Sequence, residues 1–187
     1  MYEDVDAAIE MLRPILRGTR CCIQAGGHVG HWPVRLSAVF ESVVTFEPES
    51  GNFQELESAT KCISSIRAYN AALGKYKGVA HMERTAGETA NDNRGAYFMR
   101  PGGSIPIMTI DSLDLKPDLI YLDIEGAEYM ALEGAVDTIR RCKPVIGVED
   151  KGHHERYGSK RIERLLVDIY GYSSIGRPFK SDQIFVI

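Results

Sequence analysis

No apolar run in the 187-residue sequence approaches the roughly 20 residues that a membrane-spanning helix needs. The N-terminal segment 1–18 also lacks the basic start, the continuous apolar stretch and the small-residue cleavage site of a secretory signal. These absences argue against a spanning segment and against export. We therefore expect a cytoplasmic protein.

Cysteine pairs with metal-binding spacing are missing as well. The four cysteines are Cys21, Cys22, Cys62 and Cys142, so the sequence contains no CxxC pair. This spacing excludes a zinc site of the cysteine-rich kind. It predicts reduced thiols that are mostly buried.

A surplus of basic residues is also absent. The chain carries 22 Lys and Arg against 26 Asp and Glu, which gives a formal net charge of −4. This balance argues against broad electrostatic attraction to nucleic acid. The length suits one well-buried core, and we find no internal repeat or low-complexity segment, so residues 1–187 are predicted to form a single domain.

The sequence does contain short apolar segments that alternate five times with amphipathic ones, after a lead-in helix within residues 1–18. The five are "CCIQA", "SVVTFE", "CISSIRAYN", "PDLIYLDIE" and "KPVIGVED". Apolar strands of this kind are typical of a parallel sheet that is covered on both faces, so the predicted fold is a doubly wound α/β sheet. The closing segments "GYSSIGR" and "SDQIFVI" are predicted to form an antiparallel pair.

Two regions carry more specific expectations. Residues 79–82, 96–99 and 105–110 have strand-like composition, whereas the polar composition of 83–95 is typical of a loop, so we predict a mobile loop or lid within 83–104. Further along, Ala127, Ala131, Ala135 and Ile139 share one helical row, which predicts one helix packed closely on the sheet.

A glycine-rich turn follows the first predicted strand, in "IQAGGHVGHW". Gly26, Gly27 and Gly30 lie where missing side chains let a ligand approach backbone N–H groups. Glu47 ends the second strand about 20 residues later, the position from which a carboxylate reaches both hydroxyls of an adenosine ribose. Taken alone, the turn could be purely structural, and Glu47 could be a solvated charge or a helix cap.

Two kinds of nucleotide ligand share this geometry, a dinucleotide and S-adenosylmethionine. The dinucleotide motif is G-x-G-x-x-G, whereas the turn here is G-G-x-x-G from Gly26 to Gly30 and is one position short. The closing antiparallel strands also favour the methyltransferase version of the sheet. An NAD-dependent oxidoreductase is therefore the less favoured alternative.

The chain resembles the FkbM-type methyltransferases over about residues 20 to 150. The blocks that carry the resemblance are "IQAGGHVGHW", "VVTFEPESGNFQELE", "RAYNAALGKYKG", "TIDSLDL", "LIYLDIEGAEYMALEGA" and "PVIGVE". The resemblance implies a class I, Rossmann-like fold with a seven-stranded sheet whose last strand is antiparallel. It also implies S-adenosylmethionine as cofactor and O-methylation of a hydroxyl on a sugar or another small metabolite, so the expected partner is a small-molecule or glycan acceptor.

The same resemblance assigns residues to the cofactor. Glu47 is expected to bind the ribose, Asn70 and Ala71 to flank the adenine, and Asp123, Glu125 and Glu128 to form an acidic block near the methyl donor and acceptor. The predicted cofactor-binding set is Gln24, Gly26, Gly27, His28, Gly30, Glu47, Pro48, Asn70, Ala71 and Asp123.

The chain departs from the family pattern at two positions. The family usually has Asp where this chain has Gln24, and Asn where it has His28. An amide accepts hydrogen bonds but carries no charge. We therefore expect weaker binding of the cationic methionyl end, or help from another carboxylate. A non-catalytic binding module with the same fold is the alternative that Gln24 motivates.

A hydroxyl acceptor needs a group that removes its proton. The predicted catalytic residues are Asp123, Glu125 and His153, whereas Glu128 is expected to cap its helix. The segment "EDKGHHERYG" could hold a divalent cation together with Asp123. Its spacing matches no fixed metal signature, so no metal ligand is predicted.

Overall fold

The computed structural model of the chain describes residues 2–84, 97–149, 159–179 and 182–187. The strands in this part are β1 (Cys21–Ala25), β2 (Ser42–Phe46), β3 (Ile66–Tyr69), β4 (Ala72–Leu73), β5 (Gly78–Arg84), β6 (Tyr97–Pro101), β7 (Ile105–Met108), β8 (Leu119–Leu122), β9 (Val145–Glu149), β10 (Ser173–Ser174) and β11 (Asp182–Val186). The helices are α1 (Tyr2–Leu12), α2 (His31–Leu36), α3 (Ser50–Thr60), α4 (Glu128–Glu133), α5 (Val136–Cys142) and α6 (Ser159–Glu163). Two 3-10 turns (Arg13–Ile15 and Ile110–Leu113) and a π-helical segment (Arg164–Ile169) complete the regular structure of the described residues.

Seven strands form the larger sheet, in the order β10-β11-β9-β8-β1-β2-β3. Strands β3, β2, β1, β8 and β9 are parallel, and β11 runs antiparallel to both β9 and β10. This confirms the predicted sheet of seven strands with the last one antiparallel. The strand order reverses between β1 and β8, and in open α/β sheets ligands bind beyond the carboxyl ends at such a point.

The strands at the centre of this sheet are buried on both faces. Cys22 and Leu119 pack with α1 and α2 on one face, whereas Ile23 and Ile120 pack with α4 and α5 on the other. All four side chains have no solvent exposure. Continuous apolar strands of this kind are what a parallel sheet between two helical layers requires. No helix in the described ranges combines the length and the apolar character that crossing a bilayer would take.

A second, smaller sheet lies between β3 and β8 in the chain, with the order β4-β7-β5-β6. Strand β5 pairs antiparallel with both β6 and β7. The predicted loop or lid at 83–104 is therefore wrong in part, because residues 83–84 end β5 and residues 97–101 form β6. The strand-like composition of 79–82, 96–99 and 105–110 was the correct signal, since these segments overlap β5, β6 and β7. Residues 85–96 lie outside the described part of the chain.

The single helix predicted from the row of small residues is also wrong, because α4 and α5 are separate. The helix is interrupted at Gly134, where the backbone packs against the backbone of Gly74, the residue after β4 of the smaller sheet. A Cβ atom at Gly134 would lie 2.2 Å from the Gly74 carbonyl oxygen. The break therefore lets the smaller sheet approach the helical layer closely.

Asp111 caps the start of α5 from a distance in sequence. Its two carboxylate oxygens accept hydrogen bonds from the backbone N–H groups of Asp137 (3.2 Å) and Thr138 (2.8 Å). The first turn of a helix has N–H groups without intrahelical partners, and side-chain oxygens satisfy them. Asp111 thus belongs to the scaffold.

We expect Asp111→Ala to lower the free energy of unfolding by about 1 kcal/mol, the usual cost of a lost helix cap. Asp111→Asn is the matched control, because it keeps one acceptor oxygen and should lose less. Urea denaturation followed by circular dichroism measures both. Equal stability of Asp111→Ala and the wild type would contradict the capping role.

Candidate functional site

The glycine turn after β1 packs directly on the end of β8. Gly26 has a φ of +89°, and a Cβ atom there would lie 1.9 Å from the carbonyl oxygen of Asp123. The N–H groups of Gly26 and Gly27 donate to the Phe46 carbonyl at 3.1 and 2.9 Å, which ties the turn to β2. These two N–H groups are therefore already bonded within the protein. The close contact with the Asp123 carbonyl explains why this position requires a glycine.

Glu47 joins the turn to the tip of β2. Its carboxylate accepts hydrogen bonds from the backbone N–H of His28 (2.8 Å) and from that of Glu49 (2.9 Å). Glu47 is 6% exposed, and this burial raises the pKa of its carboxyl while the two N–H bonds oppose the rise. Each oxygen of a carboxylate has two acceptor positions. These two N–H groups and the Asn52 side chain, which also bonds to the carboxylate, take three of the four positions and leave one for a hydroxyl of a ribose.

Gln24 lies inside the protein, beneath the turn. Its side-chain N–H donates to the Gly26 carbonyl at 3.0 Å, and its carbonyl oxygen accepts from the Thr45 hydroxyl at 2.5 Å. The residue has no solvent exposure. An amide both donates and accepts, whereas an ionised carboxylate only accepts. The amide therefore suits this position because one of its partners is a carbonyl and the other is a hydroxyl.

Asn70 also supports the loop around Glu47. Its side-chain N–H group donates to the backbone carbonyls of Glu47 (2.9 Å) and Pro48 (3.2 Å). The amide thereby fixes the path of the chain after β2. Asn70 lies at the sheet edge where the cofactor is expected, and its side-chain N–H group is bonded to backbone carbonyls.

An apolar pocket that is open to solvent lies at the same edge, next to Glu47. Its lining residues are all apolar: Ala25, Phe46, Pro48, Ala71, Ala72, Leu73, Met82, Met99, Ile124 and Ala127. Phe46 and Pro48 are the chain neighbours of Glu47, and Pro48 and Ala71 were expected at the cofactor. A pocket of this composition suits a flat, uncharged group.

Three half-buried carboxylates converge at the carboxyl ends of β8 and β9. Oxygen atoms of Asp123, Glu125 and Glu149 all lie within 4.8 Å of one another. Carboxylates at this spacing can accept a proton, and they are also the kind of oxygen ligand that a divalent cation takes. The structure thus brings together two of the predicted catalytic residues, Asp123 and Glu125, and adds Glu149.

Glu128 points back at the loop that carries these acids. Its carboxylate accepts hydrogen bonds from the N–H groups of Ile124 (2.9 Å) and Gly126 (3.2 Å). In the same loop, Glu125 and Gly126 have left-handed φ values of +52° and +97°. Glu128 is 5% exposed, and burial raises the pKa of its carboxyl to about 7. Both N–H groups lie in the loop before α4, so these bonds hold the loop and are not the helix cap that the sequence predicted.

His153, the third predicted catalytic residue, lies outside the described residues, as does the rest of 150–158. His28 and Gly30 lie in the turn, with φ values of +45° and +100°. The assignment of individual residues to the cofactor or to catalysis stays a prediction at this point.

Comparison with known proteins identifies the family. The profile described as "Methyltransferase FkbM domain" matches residues 24–174. The chain belongs to the FkbM methyltransferase family. The crystal structure of methyltransferase FkbM from Methylobacillus flagellatus KT superposes with a TM-score of 0.65 at 19% sequence identity, over 92% of this chain and 45% of that one.

Other solved structures share the fold of this FkbM domain. A SAM-dependent methyltransferase from Aquifex aeolicus has a TM-score of 0.55 at 10% identity and covers 98% of this chain and 88% of that one. A Streptococcus mutans protein solved in complex with SAH has a TM-score of 0.55 at 9% identity, over 98% of both chains. Curated protein sequences gave no match. The family match favours a methyltransferase over a dinucleotide oxidoreductase.

Sequence reasoning missed two residues of the FkbM domain's pocket, Met82 and Met99. They are direct partners across β5 and β6. Both lie in segments, 79–82 and 96–99, whose strand-like composition was noted in the sequence. The pairing of the two segments across the intervening residues has no local sequence signal.

We expect Gly26→Ala to destabilise the FkbM domain by about 3 kcal/mol or more, because it combines a left-handed backbone with a clash against the Asp123 carbonyl. Gly176→Ala is the matched control, since Gly176 has a φ of +84° and no atom within 4 Å of a Cβ. That variant should lose only about 1–2 kcal/mol. Urea unfolding measures both, and equal losses would show that the contact with Asp123 adds nothing.

Glu128 should make stability depend on pH. Its pKa rises from 4.5 to about 7 on folding, so the folded state holds the proton more tightly than the unfolded state does. The resulting stabilisation is fully present below about pH 4.5 and is lost as the pH rises through about 7, a change on the order of 3 kcal/mol.

Glu128→Gln isolates this effect, because all other titrating groups are common to both proteins. We expect the difference in unfolding free energy between wild type and variant to change across pH 4.5 to 7, with the wild type losing stability relative to the variant. Urea denaturation at a series of pH values measures it. A difference that stays constant with pH would contradict the assignment.

Proposed function

We propose that the chain binds S-adenosylmethionine at the carboxyl edge of the larger sheet and transfers a methyl group to a hydroxyl of a sugar or another small metabolite. The observation that carries the proposal is the position of Glu47, a buried carboxylate held between the glycine turn and an apolar pocket. The chain spans 45% of the length of the FkbM methyltransferase from Methylobacillus flagellatus KT, so the substrate is proposed from this chain's own residues.

The described residues fit this cofactor in two respects. Glu47 has acceptor capacity for a ribose hydroxyl, because two backbone N–H groups and the Asn52 side chain take three of the four acceptor positions of its carboxylate. The pocket beside it offers apolar surface for the base, with Pro48 and Ala71 in its lining. A protein of the same fold, from Streptococcus mutans, was solved with SAH, which supports this class of ligand.

When bound, the cofactor would supply a methyl carbon that its sulfonium already activates for in-line displacement. This chain's contribution is then to orient the acceptor and to accept its proton. Asp123, Glu125 and Glu149 are placed for that role, with oxygens within 4.8 Å of one another. Their shared negative charge favours an acceptor that donates hydrogen bonds, such as a sugar hydroxyl, over an anionic one.

Isothermal titration with S-adenosylmethionine and S-adenosylhomocysteine tests the cofactor assignment. We expect micromolar binding by the wild type and a loss of about tenfold or more in Glu47→Gln, because the charged acceptor of a ribose hydroxyl is removed. Glu57→Gln, an exposed change on α3, is the matched control and should bind like the wild type. Urea unfolding of each variant checks that the fold is intact.

The outcomes separate the alternatives. No binding to the folded wild type would refute the proposed function, and unchanged binding by Glu47→Gln would refute the role of Glu47. Binding without turnover on a panel of sugars and small hydroxyl metabolites, followed with radiolabelled methyl donor, would favour the non-catalytic binding module instead.

A further inference from the structure

The smaller sheet supplies one wall of the pocket beside Glu47. Ten residues line the pocket. Two of them, Met82 and Met99, come from β5 and β6 of the smaller sheet, and the other eight lie in β4 or at the edge of the larger sheet. The methionines are directly opposed in the antiparallel register. Directly opposed residues project their side chains to the same face of a sheet. The two thioethers therefore lie side by side at the pocket.

The pair of strands β5 and β6 has two distinct faces. His81 and Arg100, the register pair next to the methionines, are both exposed, and Arg100 forms an ion pair with the exposed Glu83 at 2.7 Å. On the other face, Ala80 has no solvent exposure and Met82 is half-buried. The polar face thus meets solvent, while the apolar face closes the pocket.

The chemistry of the methyl donor restricts which part of it can enter this pocket. Its ammonium, carboxylate, sulfonium and ribose hydroxyls all need polar partners, because an unpaired polar or charged group is costly to bury. Only the purine base offers a flat, uncharged surface that an apolar pocket can cover. Glu47 fixes the ribose next to Pro48, so the base attached to that ribose lies at the pocket.

We propose that Met82 and Met99 pack against the adenine ring of S-adenosylmethionine, so that β5 and β6 of the smaller sheet are part of the cofactor site. This inference rests on the proposed function. Thioethers are polarisable and make favourable contacts with aromatic rings, and the flexible methionine side chain adapts to their shape. Part of the wall that covers the base then comes from outside the larger sheet.

Binding of two ligands to a pair of double variants tests the inference. S-adenosylhomocysteine and 5′-methylthioadenosine share the adenosine, but the second lacks the amino acid end. We expect Met82→Ala combined with Met99→Ala to weaken both ligands by about tenfold, because two ring contacts are lost. Met82→Leu combined with Met99→Leu should recover most of the affinity.

The control uses the opposite face of the same strands. His81→Ala combined with Arg100→Ala changes the neighbouring register pair and should leave both affinities unchanged. Wild-type affinity in the methionine-to-alanine variant would overturn the inference while leaving the proposed function intact. Failure of the wild type to bind either ligand would refute the proposed function and this inference with it.

A measurement on the wild type removes the dependence on stable variants. The chain has six methionines, whose methyl groups can be labelled with carbon-13 and followed by NMR. We expect the signals of Met82 and Met99, assigned with the single leucine variants, to shift when S-adenosylhomocysteine places an aromatic ring against them. Binding with these two signals unmoved would show that another group, such as an apolar part of the acceptor, occupies the pocket, and would overturn the inference.

Discussion

The carboxylate of Glu47 holds together the two segments on which the site depends. It receives one N–H group from the turn after β1 and another from the start of α3, and it does so where water has little access. Buried polar groups that lose a partner are costly, so these two segments and the end of β2 that carries Glu47 stabilise one another. The position of the apolar pocket follows from this arrangement, because both chain neighbours of Glu47 line it.

Two sheets divide the chemistry of the edge between them. The larger sheet contributes the polar part, which consists of Glu47 and of the carboxylates that follow β8 and β9. The smaller sheet contributes apolar side chains only, from β4, β5 and β6. The smaller sheet, which is inserted between β3 and β8, therefore excludes water from one side of the pocket.

Local patterns predicted much of this fold, because strands buried on both faces are apolar throughout and glycines mark tight turns. The spacing of the glycine turn and Glu47 likewise predicted that the turn after β1 and the end of β2 are neighbours. What the patterns could not encode are contacts between distant backbones. The break at Gly134 depends on the carbonyl of Gly74, and the pocket wall depends on the pairing of Met82 with Met99. The enclosed position of Gln24 depends in the same way on Thr45.

The bonding partners of Gln24 have a consequence for how the site responds to acid. Gln24, Thr45 and the carbonyl of Gly26 form a chain of neutral hydrogen bonds, none of which involves an ionisable group. The carboxyls of Glu47 and Glu128 have raised pKa values and change charge above the usual range of an acid. These neutral bonds do not titrate, so acidification leaves the support that Gln24 gives the turn in place while it changes the charge of the Glu47 carboxyl that accepts the His28 N–H group.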